Sequence, residues 1–560
     1  MQPIEHARDY DDGVARLDSH RSLSKLTAFV KERTGARSGP IVLLADSVDH
    51  PAVSHFSSAF PRLSVLLPEP AERAGLRTTA AATPEDASIA LSEIGAPLAV
   101  IDVRATPSGE RSAWFEWLFF HVALYGVYVA PKGEEVTAAW LAAATSTVQH
   151  RGPAQLKELG ASAGSVALVG EFVAVPKMVS HIFKLKEENT DRYLPQREGI
   201  SSFRTITEMA GGTFAAKTAI VEHGGRKLPS SRWDYHKSSV RYVRGPVQVL
   251  ADGLALKGNT ALPSSFRHAR ARDVKNDALR SLNQEFGIVK APSTTPRHLP
   301  GQYYDLSSTL TGHFGHFITE TVAKLWGWEA AKKSVPGLKV LYRTPVNGRE
   351  PALERAVFKA YGISDDDIVF VSDDVTVDGY AWSSYLWQNL ANYHFHPAIA
   401  ATWRQLRNGL VDIGKATPKR LFVSRSDKSS DKRACRNVDD LEALFREAEF
   451  TVVYPELLPF EEQATLFGNA EVVAGLAGSA MFNMLFAEKL KRVIVLSHDS
   501  YTARNEFLYS AALAEELHYF WSRADLQHGK KGFSTEAFHS SWEFDLKQHT
   551  NALSEVLNKG

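Results

Sequence analysis

Short apolar runs alternate with helical stretches along most of this chain, and that rhythm limits the fold more than any other feature. Ile41-Val42-Leu43-Leu44-Ala45-Asp46, Leu63-Ser64-Val65-Leu66-Leu67 and Leu98-Ala99-Val100-Ile101-Asp102-Val103 are nearly continuous apolar runs, as strands buried on both faces are. Helical stretches such as Asp86–Ile94 and Trp114–Leu124 alternate with them. Strand–helix–strand repetition predicts an α/β layer with a parallel sheet. The rhythm returns in the second half, with strands at Lys339–Tyr342, Ile368–Val371, Arg420–Val423, Thr451–Tyr454, Val472–Ala474 and Arg492–Leu496. Helices at Leu353–Tyr361, Val438–Ala448, Phe460–Gly468 and Ala480–Ala487 separate them. Between Ser165 and about Arg272 the pattern changes to short β-rich pieces, among them Phe172–Val175, Thr218–Glu222 and Val240–Val243, set between Gly and Pro turns. Four parts are expected: an N-terminal α/β Rossmann-like domain over 1–150, a β-rich connector over 151–275, and α/β lobes over 276–408 and 409–560.

At 560 residues, the chain has room for three or four domains of roughly 100–200 residues each. Lys plus Arg and Asp plus Glu number 64 each, so no overall field recruits nucleic acid or an anionic membrane. Any bound anion must be held by a local cluster. The single cysteine, Cys435, excludes an intrachain disulfide and a cysteine-based metal centre, and a reducing cytoplasm is the expected compartment. The opening Met1-Gln2-Pro3-Ile4-Glu5-His6 is polar and acidic where a secretory signal is basic and then apolar. The most apolar runs, Trp114–Ala130 and Val472–Ala487, carry polar residues and fall short of the roughly 20 residues a spanning helix needs. No transmembrane segment is expected.

Several clusters could carry chemistry. Ser424-Arg425 follows strand Arg420–Val423, and Arg433, Arg436 and Asn437 open the next helix. Guanidinium forks and a helix N-terminus at a strand's carboxyl end make a diphosphate cradle, with Lys428 and Lys432 as spare charge; the alternative is a solvated basic loop. Gly475-Leu476-Ala477-Gly478-Ser479-Ala480-Met481-Phe482-Asn483 sets small residues between strand and helix, where backbone amides can approach a phosphate or sugar. His316 and Glu320 are four apart on one helix face, close enough for a base pair or a structural pair. No metal clamp is expected from Asp365-Asp366-Asp367 or Asp373-Asp374, which read as turns and caps. Gly160-Ala161-Ser162-Ala163-Gly164 has the spacing of a hydrolase nucleophile elbow, but a helix precedes it and a strand follows, the reverse of the elbow's order. The run Val100-Ile101-Asp102, helix, Tyr125–Val129 resembles the second half of a class I methyltransferase sheet. No glycine-rich turn follows Leu44, so the N-terminal domain is expected to be a degenerate one. The ring-rich segment from Tyr380 to His396 is either core or a sugar-stacking surface.

Taken in order, these elements resemble glycosyltransferase family 61, from about Leu262 to Trp521. Gly315-His316-Phe317 with Glu320 is similar to the family's Gly-His-aromatic segment. Ser424-Arg425, Arg433 and Arg436-Asn437 resemble its Arg…Arg…Asn segment. Pro455-Glu456 through Gln463 and Phe467 resembles its Pro-Glu…Glu-Gln…Phe stretch, and Gly475 through Asn483 its Gly-x-His-Gly-Ala-Gly…Asn signature, with Ala477 where the family has His. The resemblance implies a GT-B-like pair of Rossmann-type lobes and inverting transfer from a nucleotide-sugar donor to a glycan or lipid-linked acceptor, in capsule or cell-wall polysaccharide synthesis. It implies no cofactor and no required metal. Glu320, oriented by His316, is the expected base. Arg425, Arg433 and Arg436 would hold the diphosphate, and Asn437, Glu456, Gln463, Gly478, Ser479 and Asn483 would surround the donor. The expected location is cytoplasmic or peripheral at the inner membrane face, with homo-oligomerisation left open. The other reading is a non-catalytic nucleotide- or sugar-binding scaffold.

Overall fold

A computed structural model describes residues 20–105, 108–132, 154–198, 201–290, 295–308, 310–344, 350–390, 392–426, 432–488, 490–530 and 532–558. The chain forms two compact units, each assembled from two stretches: 1–204 with 254–295, and 205–253 with 296–560. The segment 205–253, expected within a connector, therefore belongs to the second unit. The expected boundary at residue 150 and Lys428 lie outside the described residues.

The first unit is built on a seven-stranded sheet. Its strands are β1 (Ile41–Leu44), β2 (Leu63–Leu67), β3 (Arg77–Ala80), β4 (Ala99–Asp102), β5 (Val127–Pro131), β6 (Ala167–Val169) and β7 (Phe172–Pro176). They lie in the order β3-β2-β1-β4-β5-β7-β6, and β7 runs antiparallel to both its neighbours. Every residue of β1, β2, β4 and β5 is buried, which explains why they read as unbroken apolar runs. Helix Pro84–Ile94 is set by a capping box between Thr83 and Asp86 and by Pro at its first position. The expected helix Trp114–Leu124 is instead Ser108–Leu118 followed by one short turn, Phe119–His121.

The second unit holds a six-stranded, all-parallel sheet in the order Thr451–Val453, Arg420–Val423, Val472–Leu476, Leu490–His498, Ala514–Ser522, Ala219–His223. Its edge strand thus comes from the segment expected to be connector. Another layer places Ser238–Val249 antiparallel to Val375–Ser383, followed by Arg297–Asp305, Lys339–Arg343 and Ile368–Val371 in parallel.

In the six-stranded sheet the chain leaves Arg420–Val423 for Thr451–Val453 on one side and returns to Val472–Leu476 on the other. Helices consequently diverge above the carboxyl ends of the two inner strands, the switch point where open α/β sheets bind ligands. The helical path from Phe314 to Ser334 contains one π turn, Phe317–Thr321, a feature frequent at functional sites. It is pinned by Lys324, whose Nζ lies 3.0 Å from Asp305 Oδ2 with both groups buried, and by Thr321 Oγ1 donating to the Leu306 carbonyl at 3.0 Å. Removing one partner of a buried ion pair costs about 3–5 kcal/mol, so this stretch is held firmly.

Candidate functional site

At the switch point of the six-stranded sheet lies a cavity of about 260 Å³ lined by Val423, Ser424, Arg425, Arg433, Glu456, Leu476, Gly478, Ser479 and Ala480. Strand Arg420–Val423 delivers Arg425 to its rim, and the turn before helix Val438–Glu447 delivers Arg433. Arg433 has φ 59°, a left-handed conformation that costs a non-glycine residue free energy and concentrates at functional sites. Its guanidinium lies 5.0 Å from the Tyr501 ring and 5.8 Å from that of Phe538.

Neither arginine meets a carboxylate at ion-pair distance among the described residues. Arg425 donates to the carbonyls of Lys432 at 2.9 Å and Ala477 at 3.4 Å. Burial, then the neighbouring charge of Arg433, lowers its pKa to about 10. Two close, partly desolvated cations without a counter-ion form an anion site. Gly478 makes room for them: a Cβ there would stand 2.9 Å from Arg425 Nη2 and 3.6 Å from Arg433 Nη2. Glu456 accepts from the backbone N–H and hydroxyl of Ser426 at 2.6 and 2.8 Å, which fixes the end of the strand.

The helical turn beginning at Phe314 packs beside this loop, since a Cβ on Gly315 would come 2.9 Å from Ser479 Cβ. His316 Nδ1 lies 2.5 Å from Glu320 Oε1, and the imidazole is the more exposed partner, 19% against 6% for the carboxylate side chain. The His313 ring is 4.8 Å from that of His316. Burial, His316 and Arg433 all lower its pKa, so His313 lies between the dyad and the arginines in electrostatic terms.

Of the expected donor residues, the cavity gathers Arg425, Arg433, Glu456, Gly478 and Ser479. Four others have different work. Arg436 is a correction: its Nη1 pairs with Asp525 at 2.5 Å and half of its side chain is exposed, so its charge is already neutralised outside the cavity lining. Asn437 spans the backbone of Phe544, donating to its carbonyl at 3.0 Å and accepting from its N–H at 2.9 Å. Gln463 and Asn483 bond to one another at 3.1 Å, and Asn483 is fully buried behind the loop. Four rings of the aromatic segment belong to the core: Tyr380, Trp382, Trp387 and Phe395 are buried and present no sugar-stacking surface.

Two other sequence readings can be settled by geometry. Ser162 does meet a histidine and a carboxylate, at 3.2 Å from His181 Nε2 and 3.0 Å from Glu158 Oε1. However, Glu158 meets that same Nε2 at 3.3 Å, whereas a nucleophilic triad uses the two imidazole nitrogens separately. With all three side chains buried, this is a structural cluster. In the N-terminal sheet the carboxyl edge between β1 and β4 is closed by the chain itself. Arg104 donates to both oxygens of Asp102 at 2.9 and 2.8 Å and lies 3.6 Å from the Trp114 ring, while Asp46 accepts from Ala105 N–H at 2.9 Å.

Sequence reading missed three buried residues near the arginines: His498, Tyr501 and Glu506. His498 ends strand Leu490–His498, so the carboxyl-end rule was the available signal. Glu506 is kept toward its protonated form by burial, and Arg433 opposes that shift.

Fold and cavity together define an α/β protein with a cationic cleft at the switch point of a parallel sheet. Residues 314–494 match the family model Glycosyltransferase 61, and this stretch contains the dyad and the cleft. No curated protein matches the chain. Solved structures similar to it include three of the MycE methyltransferase from the mycinamycin biosynthetic pathway, with Mg and SAH and, in one, mycinamycin VI. They share 16–18% identity at TM-scores of 0.22–0.23, over 27–30% of this chain and 48% of theirs. The chain thus spans about half the length of those structures, and a likeness of that size carries no argument. Among the described residues, no helix is long and apolar enough to cross a membrane.

Proposed function

We propose that the protein is an inverting glycosyltransferase whose cleft holds the diphosphate of a nucleotide-sugar donor between Arg425, Arg433 and the Gly478-Ser479 backbone. The observation that carries this reading is the pair of guanidiniums at the switch point without carboxylate partners among the described residues. A leaving diphosphate needs positive charge aimed at it, from a metal ion or from cations and amides of the chain, and this site supplies the second. An acceptor hydroxyl on a glycan or lipid-linked glycan attacks the anomeric carbon. The bond from that carbon to the phosphate oxygen breaks, and its electron pair leaves with the diphosphate.

The hydroxyl proton goes to the His316–Glu320 dyad. Glu320 was expected to face the acceptor, but it is the more buried member, so the imidazole receives the proton and the carboxylate behind it stabilises the resulting charge. The test is a screen of nucleotide sugars with the purified chain, read as released nucleoside diphosphate, followed by Glu320→Gln. Normal turnover in that variant would overturn the base assignment. Ala477, standing where the family has His, favours a second reading as a binding scaffold. Binding of nucleoside diphosphates without turnover of any donor would establish it.

A further inference from the structure

His498 is 2% exposed, and among the described residues neither of its ring nitrogens has a hydrogen-bond partner. A buried imidazole normally bonds through at least one nitrogen, so this one requires an explanation. Two titratable neighbours, Asp499 and His528, are engaged elsewhere. Asp499 accepts from Ala524 N–H and Gln527 Nε2 at 2.9 and 2.8 Å, and His528 is 2.9 Å from the Ser500 carbonyl and 3.2 Å from Ser534 N. The rings on either side, Tyr501 at 6.2 Å and Trp542 at 5.9 Å, provide packing.

The register of the sheet shows where His498 stands. Leu476 pairs with Leu496 and Ala477 N–H donates to the Leu496 carbonyl, so the continued register sets Gly478 beside His498, the last residue of its strand, at the sheet's carboxyl edge. Gly478 is the residue against which both guanidiniums rest, and Arg433 lies over Tyr501, the neighbour of His498. Burial and then Arg433 lower the His498 pKa to about 4, with Asp499 opposing and His528 and Arg425 adding to the fall. The free imidazole is therefore neutral near pH 7, kept so first by burial and then by the nearby cations. An anion placed among them reverses that balance, because opposite charge favours the protonated ring.

We propose that His498 is a third anion-binding group of this cleft, gaining a proton from solvent and donating it as a hydrogen bond to the diphosphate held by Arg425 and Arg433. This rests on the donor-cleft reading above and adds that diphosphate binding is coupled to proton uptake. Loss of product diphosphate would then return the proton.

The probe is inorganic pyrophosphate, titrated calorimetrically into the full chain near neutral pH in two buffers of different ionisation enthalpy. Pyrophosphate itself titrates in this range, so the informative quantity is the difference between the unmodified chain and His498→Gln. The expected results are an affinity loss of about tenfold, as for a charge-assisted hydrogen bond, and a fall in proton uptake approaching one per pyrophosphate bound. Unchanged affinity and uptake in His498→Gln, with Arg433→Gln weakening binding, would overturn this assignment alone. No binding by the unmodified chain would overturn the donor-cleft reading as well. Should His498→Gln fail to fold, sulfate decides on the unmodified chain, since it carries no proton that titrates between about pH 5 and 8. Greater protection of the melting temperature at the acid end supports the proposal, and equal protection at both ends overturns it.

Discussion

At the carboxyl edge of the N-terminal sheet, Arg104 is held by both oxygens of Asp102 and covered by Trp114. At the carboxyl edge of the six-stranded sheet, Arg425 and Arg433 meet carbonyls and rings but, among the described residues, no carboxylate. Both sheets are doubly wound through their parallel strands, in different strand orders, and both present arginine where ligands of such folds bind. The difference shows that topology supplies a place for a ligand, and that charge pairing decides whether the place is open. An internal carboxylate closes one edge, while at the other no carboxylate among the described residues pairs with the arginines.

The strongest challenge to this comparison is chemical. Glu320→Gln and His316→Asn should each lower sugar transfer by about 10²–10⁴-fold, the contribution of a positioned base, with pyrophosphate affinity unchanged. A matching loss of affinity would mean that the dyad supports the cleft and does not act on the acceptor. Next in size are two charge deletions whose effects on stability should differ. Asp102→Asn leaves Arg104 buried without a counter-ion and should destabilise its unit by about 3–5 kcal/mol. Arg433→Gln relieves repulsion from Arg425 and should keep stability within about 0.5 kcal/mol. It should also weaken pyrophosphate binding about ten- to a hundredfold. Thermal melts and calorimetry on the full chain read both, and equal destabilisation by the two variants would erase the distinction between closed and open edges. A smaller effect is expected of Gly478→Ala. Its methyl displaces the Arg425 guanidinium, 2.9 Å away, so it should weaken pyrophosphate binding less than Arg433→Gln does.

How much of this could be read from the sequence follows the same division. Leu63–Leu67, Ile368–Val371, Arg420–Val423 and helix Phe460–Gly468 fall where expected, because buried strands and amphipathic helices state their period locally. So do Arg425 and Gly478, which sit within a few residues of a strand's end. Arg436 and Asn437 were misleading because their partners, Asp525 and Phe544, lie 89 and 107 residues away, and no local pattern announces that they are already occupied. The edge strand Ala219–His223 was read as connector for a similar reason: its neighbour, Ala514–Ser522, is distant in sequence. The Trp387 and Phe395 rings were ambiguous because a core aromatic and a sugar platform have the same composition.

The smallest expected effect concerns the closed unit and acid. Burial lowers the His181 pKa to about 4, against the opposing hydrogen bond that it donates to Glu158 and with Lys177 adding to the fall. A base whose folded pKa is depressed contributes stability that is complete above its unfolded value, about 6.5, and is lost as pH falls toward about 4. Glu158 is held down to about 2, first by its hydrogen bond from His181 and against burial, with Arg280 assisting. Its contribution is complete above about 4.5 and disappears only as pH falls through about 2. The first unit should therefore begin to lose stability at about pH 6.5, before its carboxylates titrate. His181→Gln should flatten that upper limb in melts recorded against pH, while leaving the lower one. Added pyrophosphate should leave the loss in this unit unchanged, because its sheet edge is closed. Protection there would show that Asp102 does not exclude anions and that the two edges are alike after all.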